Sequence, residues 1–222
     1  MEPKQRSIHI LKTASRLMVH YGFDKTTMED IAREAGVSKG ALYLVWSSKD
    51  QLFEALLSFE MLRLLDDLEA RVARDPQGGT IANLYRHTLV ALRSNPLMCA
   101  LYARDSRILG DFIRRQDVER YSRRLLLGVE SVHKMQTAGM LRSDLRPEVI
   151  VYLFSIIALG FTSIGSIVPE SEAPALEEIG EALAALVRGG LETPDGTIGI
   201  GKQVVAQMIG LMRKQYDLES MD

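Results

Sequence analysis

Between Thr27 and Trp46 the chain reads TMEDIAREAGVSKGALYLVW, and this order of polar, apolar and glycine positions leaves few ways to fold. Thr27 is placed to cap a helix beginning at Met28, because its hydroxyl accepts from a free backbone N–H of the first turn. Glu29 and Asp30 suit the positive end of the same helix dipole. Gly36 stands where that helix has to stop, since a residue without Cβ enters the left-handed region cheaply, and Ser38 is placed to cap a second helix from Lys39. Ile31, Ala32 and Ala35, then Val37, then Leu42 and Val45 fall where two short helices crossing steeply would bury them. This is the spacing of a helix-turn-helix. It leaves Ser38, Lys39, Gly40, Ala41, Tyr43 and Leu44 facing outward. Such slim, basic or hydroxyl-bearing groups suit a helix that brings its backbone close to base edges and phosphates.

The same residues carry a resemblance. Gly22-Phe23, Thr26-Thr27, Ile31-Ala32, the run Ala35 to Tyr43 and Ser48-Lys49-Asp50-Gln51-Leu52 resemble the amino-terminal signature of the TetR family of bacterial transcriptional regulators. The match covers about a quarter of the chain and is specific, because separated elements agree in order and spacing. It departs at Val45-Trp46, where the family has a His or Tyr followed by Phe. Trp46 keeps the aromatic plug, whereas Val45 lacks the polar group that reaches phosphate. The resemblance implies an all-α protein: a three-helix DNA-binding head joined by a long helix to an all-helical ligand-binding and dimerisation body.

Around this unit the rest of the chain is consistent. Residues from Arg6 to Tyr21 place Ile8, Leu11, Ala14 or Ser15 and Met18 at helical spacing, a third helix to support the pair. Ser48 with Gln51 predicts a capping box, and Lys49 at that helix start is expected to meet phosphate. The run Leu52, Leu56, Phe59, Leu62, Leu65 and Leu68 continues to about Arg74, roughly 40 Å at 1.5 Å per residue, before Asp75-Pro76 breaks it. This gives expected domains of 1–48 for the DNA-binding head and 49–222 for the body. Breakers at Asn95-Pro96, Gly110, Arg146-Pro147, Val168-Pro169 and Pro194-Asp195-Gly196 divide the body into helices, and no period-two alternation suggests a sheet.

The net charge of −2 masks an asymmetry: residues 1–50 carry eight Lys/Arg against six Asp/Glu, and the remainder nineteen against twenty-three. A single cysteine, Cys99, fits a reducing cytoplasm, and the amino terminus lacks the apolar run of a secretion signal. The four scattered histidines offer no metal spacing and, with the lone cysteine, no recognisable catalytic set, so neither metal, cofactor nor enzymatic activity is expected. Val149 to Val168 carries no charge. A membrane span is one reading; the stronger one is a helix buried against its own body and a second copy, through a small-residue stripe of Ser155, Ala158, Thr162 and Gly165. Leu176, Ile179, Leu183 and Val187 form a second helical face for the same four-helix contact. Lys202 to Tyr216 reads as a further helix beyond the usual family plan.

The expected DNA-binding set is Thr27, Ser38, Lys39, Gly40, Ala41, Tyr43, Leu44 and Lys49. The resemblance adds a small-molecule effector, for which Met98, Cys99, Tyr102, Phe112, Tyr121, Phe154 and Phe161 are the candidate pocket residues, being bulky, deformable or polar-tipped. The expected partners are double-stranded DNA, a second copy of the chain and that effector, with no membrane. The expected function is a ligand-responsive regulator, repression being the commoner outcome in the family, that binds a palindromic operator as a homodimer. The competing class is a helical adaptor, or a membrane-anchored regulator without direct small-molecule sensing.

Overall fold

Helix boundaries coincide with residues able to satisfy the backbone groups that helix ends leave unpaired. In the computed structural model, which describes residues 2–112, 118–169, 171–193 and 198–219 (side chains of 118–127, 166, 198–200, 215 and 217–219 excepted), Pro3 opens α1 (Pro3–Tyr21) and the chain leaves it at Gly22. Thr27, Ser38, Thr80 and Asn95 cap α2 (Met28–Glu34), α3 (Lys39–Tyr43), α5 (Ile81–Arg93) and α6 (Pro96–Ala103). Each side-chain oxygen accepts from a first-turn N–H. Between them α4 spans Lys49–Arg74. Then follow α7 (Ser106–Leu109), α8 (Val118–Thr137), α9 (Pro147–Ser163), α10 (Leu176–Gly190) and α11 (Ile198–Glu219). Among the described residues the only extended pairing is an isolated bridge between Leu141 and Glu192. The chain is all-α, a helix-turn-helix head followed by a helical body. The expected breaker at Pro194-Asp195-Gly196 lies outside the described residues.

The chain divides into two compact units, Met1–Arg63 with Asn95–Gln116 and Tyr216–Asp222, and Leu64–Ser94 with Asp117–Gln215. The helix-turn-helix therefore shares its unit with the first part of α4 and with α6 and α7. Ile10, Ala14 and Met18 of α1, Ile31, Leu42, and Leu52, Phe53 and Leu56 of α4 are fully buried there. Ile8 is half-exposed, and Ile10 and Leu17 are buried instead, so the inward face of α1 is rotated from the expected one. Phe23 anchors the arrangement. Its ring centroid lies 4.9 Å from that of Phe53 and 5.7 Å from that of Phe112, and Phe53 and Phe112 are 4.5 Å apart. Truncating one such buried ring to Ala typically costs about 3–5 kcal/mol. Phe23 also donates its N–H to the Ile108 carbonyl at 2.8 Å. Asp24 accepts from the Asp111 N–H at 3.2 Å. The α1–α2 loop passes so close to α7 that a Cβ on Gly22 would stand 2.5 Å from the Arg107 carbonyl oxygen. Nearby, Glu60, only 2% exposed, accepts from Arg63 at 3.0 Å and from the Asn95 amide at 2.9 Å, tying α4 to the start of α6.

In the second unit α5 lies against α9 and α10, and α9 against α8. Leu89, Leu92, Ile150, Ala184, Val187, Val205 and Ile209 are buried. Arg213 of α11 pairs with Asp66 at 2.5 Å and Glu69 at 2.7 Å on α4. The uncharged run Val149–Val168 is not one helix: α9 is 17 residues long and gives way to a 3-10 turn at Ile164–Ser166. At roughly 26 Å it falls short of the about 30 Å hydrocarbon core of a bilayer. Among the described residues no helix is long and apolar enough to cross a membrane.

Asp75, between α4 and α5, accepts from the Gln77 N–H and from Arg86 and pairs with His87 at 2.8 Å. Burial pushes this carboxyl up, but the Gln77 amide, the His87 ring and the Arg86 guanidinium together hold it below the usual carboxylate range. A depressed carboxylate stabilises the fold above its unfolded-state pKa, and that stability is lost as pH falls through the folded value. Asp75→Asn should therefore cost about 1–3 kcal/mol in denaturant titrations at neutral pH. The difference from the parent should shrink to nothing in acid.

Candidate nucleic-acid interface

The outward surface of the helix-turn-helix is built by two caps and one left-handed residue. Thr27 Oγ1 accepts from the Asp30 N–H at 3.1 Å and donates to Asp30 Oδ2, which also accepts the Thr27 N–H at 3.2 Å. This closes a reciprocal box at the start of α2. The Thr27 hydroxyl, followed by Arg33, holds the Asp30 carboxyl below its ordinary range. The helix ends at Ala35, and Gly36 at φ +65° turns the chain. Ser38 Oγ then accepts from the Ala41 N–H at 3.2 Å to start α3. Within α3 Leu42 is the buried residue, while Ser38, Lys39, Gly40 and Tyr43 are exposed and Ala41 half-buried. Leu44 is 88% exposed and Val45 52%.

Val45 is thus not the inward residue that its spacing suggests. Helix α3 stops at Tyr43, and the N–H groups of both Val45 and Trp46 donate to the Leu42 carbonyl. This tightened turn carries Trp46, 8% exposed, into the core and leaves Val45 outside beside Leu44. The aromatic at 46, expected as the plug of this turn, is the signal that could have shown Val45 to lie outside.

Two cations differ in availability. Lys39 is exposed and pairs with Glu29, lying over the Tyr43 ring at 5.6 Å. The pairing with Glu29 raises the Lys39 ammonium pKa and lowers that of the Glu29 carboxyl. Lys49 is committed inward. Its Nζ donates to the Phe23 carbonyl at 2.9 Å and the Thr26 carbonyl at 3.1 Å and stands 4.2 Å from the Phe23 ring centroid. The expected phosphate contact is corrected accordingly, because these carbonyls already hold the ammonium. The capping box before α4 is shifted too: Ser48 Oγ accepts from Gln51 N–H, but Gln51 Oε1 accepts from the N–H of Ser47. Among the described residues no three His, Cys, Asp or Glu side chains group so as to hold a metal ion.

Residues 10–56 match the profile of the "Bacterial regulatory proteins, tetR family". The head, residues 10–56, is thus of the TetR-family type, and the chain as a whole shares the fold of solved TetR-family regulators. The uncharacterised HTH-type transcriptional regulator YvdT of Bacillus subtilis is 32% identical over 85 residues, 37% of this chain and 44% of that protein. The chain thus spans under half the length of this first relative. The HTH-type transcriptional repressor KstR2 of Mycolicibacterium smegmatis is 27% identical over 202 residues, 88% of this chain and 95% of that protein. The fold is shared with AibR, solved in complex with isovaleryl coenzyme A and operator DNA. That likeness has a TM-score of 0.58 and 20% identity, over 82% of this chain and 97% of the other.

The remaining expected residues disperse. Met98 and Cys99 are buried on α6, Tyr102 is exposed, and all three lie in the first unit. Phe112 is corrected from pocket to core, since its ring is buried against Phe23 and Phe53. Phe154 and Phe161 are half-buried in the second unit, Phe154 stacking on Tyr85 at 4.5 Å while the Tyr85 hydroxyl donates to its carbonyl. The side chain of Tyr121 lies outside the described residues. Of the expected interface stripe, Ser155, Ala158 and Thr162 are half-buried and Gly165 exposed. Ser155 and Thr162 donate to the carbonyls of Val151 and Ala158. Leu176, Ile179 and Leu183 are half-buried, and Val187, 2% exposed, is corrected from interface to core because its own unit covers it. The uncovered face is a neighbouring one: Tyr152, Leu153, Ile156 and Leu159 on α9, with Ile164 and Ile167 after it, and Leu186 on α10.

Because hydrogen bonds to a charged group contribute about 1.5–3 kcal/mol, Lys49→Met should lower the denaturation midpoint of the head by a corresponding amount. It should leave the salt dependence of DNA binding unchanged. A flatter salt dependence with normal stability would return Lys49 to the phosphate-binding set.

Proposed function

We propose that the protein is a homodimeric, effector-responsive repressor whose two α3 helices read adjacent major grooves of a palindromic operator. The single observation that carries this is the outward presentation of Ser38–Leu44, with Leu42 alone turned into the core. In this reading Lys39 donates to a guanine edge or a phosphate, Tyr43 to a phosphate, and Ala41 and Leu44 meet thymine methyls. Gly40 lets the backbone approach, while Thr27 and Ser38 hold the two helices in register through their caps. Lys39→Ala should weaken operator binding by about 1–3 kcal/mol and relax preference at one base pair per half-site in binding-site selection. A uniform loss over all sequences would make it a phosphate contact only.

Pairing is the second element, because one short helix reads only a few base pairs and two heads about 34 Å apart read two half-sites. The uncovered apolar residues of α9 and α10 support an isologous interface there, flanked by the small and apolar positions Ser155, Ala158, Thr162, Gly165, Leu176, Ile179 and Leu183. Ile156→Glu places a charge in that face. It should yield a monomer in sedimentation and lose operator affinity, with the helical content unchanged; a variant that stays dimeric would move the interface elsewhere.

The repressor assignment follows KstR2, and the effector follows AibR, captured with both isovaleryl coenzyme A and operator DNA. An effector acts only by binding the non-DNA arrangement better, typically by 1–3 kcal/mol. The effector-facing candidates are Phe154 and Phe161 in the second unit and Met98, Cys99 and Tyr102 in the first.

A further inference from the structure

Between the start of α1 and the turn that precedes α3 lies an open cleft of about 450 Å³, lined by Arg6, His9, Ala35, Gly36, Val37, Ser38 and Ala41. Arg6 and His9 stand three residues apart on α1, so they share one face of that helix, and both are exposed. The opposite wall is made of small or apolar residues, two of which, Ser38 and Ala41, belong to the leading end of the reading helix. Arg6 and His9 are the titratable groups of the lining. Lys12, one turn further along α1, adds a cation. Of the acids flanking the far wall, Glu34 is paired with Arg16 at 2.7 Å and Glu29 with Lys39; Glu2, exposed four residues before Arg6 at the start of α1, is the carboxylate on the basic side.

We propose that this cleft seats a phosphate of the DNA backbone, held by Arg6 and by His9 as an imidazolium, so that operator binding takes up a proton at each head. The inference rests on the regulator reading and extends its contact surface from α3 to the first helix. A strand whose bases meet Ser38–Leu44 passes the mouth of the cleft, and the basic α1 wall of Arg6 and His9 fixes its register without reading sequence. Imidazole titrates near pH 6.5 in model peptides, and an adjacent phosphate favours its charged form. Affinity is therefore highest in mild acid and is lost as pH rises through the value that His9 has in the complex.

The test uses the full-length protein and a fluorescent duplex of about 30 base pairs, long enough for two half-sites one turn apart, recovered by selection from random sequence. Between about pH 6 and pH 8 the parent should lose affinity, about tenfold per head for each unit by which the phosphate raises the imidazole pKa. His9→Gln should flatten that profile. Arg6→Ala should keep the profile but reduce the slope of log affinity against log salt by about one per head. Both side chains are exposed, and melting curves check that both variants keep the fold. A His9→Gln variant with the parent's pH profile, or an Arg6→Ala variant with the parent's salt slope, overturns the proposal. So does an imidazole resonance of His9 that responds to inorganic phosphate, at matched ionic strength, as strongly as to the duplex, because the seat would then serve the free ion. A parent that binds no duplex at low salt defeats the regulator reading itself, a different result from a parent that binds while the two variants behave like it.

Discussion

The seating of Phe23 is the constraint on which the helix-turn-helix head depends. This residue follows the glycine that ends α1, and it is gripped by ring contacts to Phe53 and Phe112, by its N–H to Ile108 and by the Lys49 ammonium at its carbonyl. Aromatic pairs add about 0.5–1.5 kcal/mol each beyond the area they bury. With backbone hydrogen bonds on both sides, the loop between α1 and α2 has one arrangement. The start of α2 is thereby fixed relative to α4, α6 and α7, and the caps at Thr27 and Ser38 carry that placement forward to α3.

What could be read from the chain beforehand was mainly local. The starts of α2 and α3, the left-handed Gly36 and the break after Arg74 follow from interactions within four residues along the chain, which sequence order displays directly. Lys49 shows where this stops working. Its partners are carbonyls of Phe23 and Thr26, more than twenty residues upstream, and a lysine at a helix start looks the same whether it faces a phosphate or a carbonyl. Val45 lies outside for a related reason: periodicity continues a helix indefinitely, whereas α3 ends after Tyr43 and the tightened turn leaves Trp46, the expected aromatic plug, as the next residue inward.

The body illustrates a second limit. An uncharged helix such as α9 has no polar face to orient it, so its composition marks burial without saying which side meets its own unit. The small residues Ser155, Ala158 and Thr162 are half-covered, while the bulkier Tyr152, Ile156 and Leu159 are left out. Rotating the expected face by about one residue, 100° on an α-helix, accounts for the difference. The corresponding shift on α10 buries Val187 and leaves Leu186 bare. The candidate effector residues were the least legible, because a pocket is a property of several segments at once and single side-chain types do not reveal it.

The tip of the head is unusually greasy for a surface proposed to meet a polyanion, with Leu44 and Val45 side by side in water. Desolvating such carbons against thymine methyl groups draws on hydration entropy and carries a negative heat-capacity change, whereas neutralising phosphates is governed by counterions. The two halves of recognition would then respond to different variables: cooling would erode discrimination among sequences while leaving general attraction to the duplex, and added salt would do the reverse. On the proposed reading, recognition is choosier when warm.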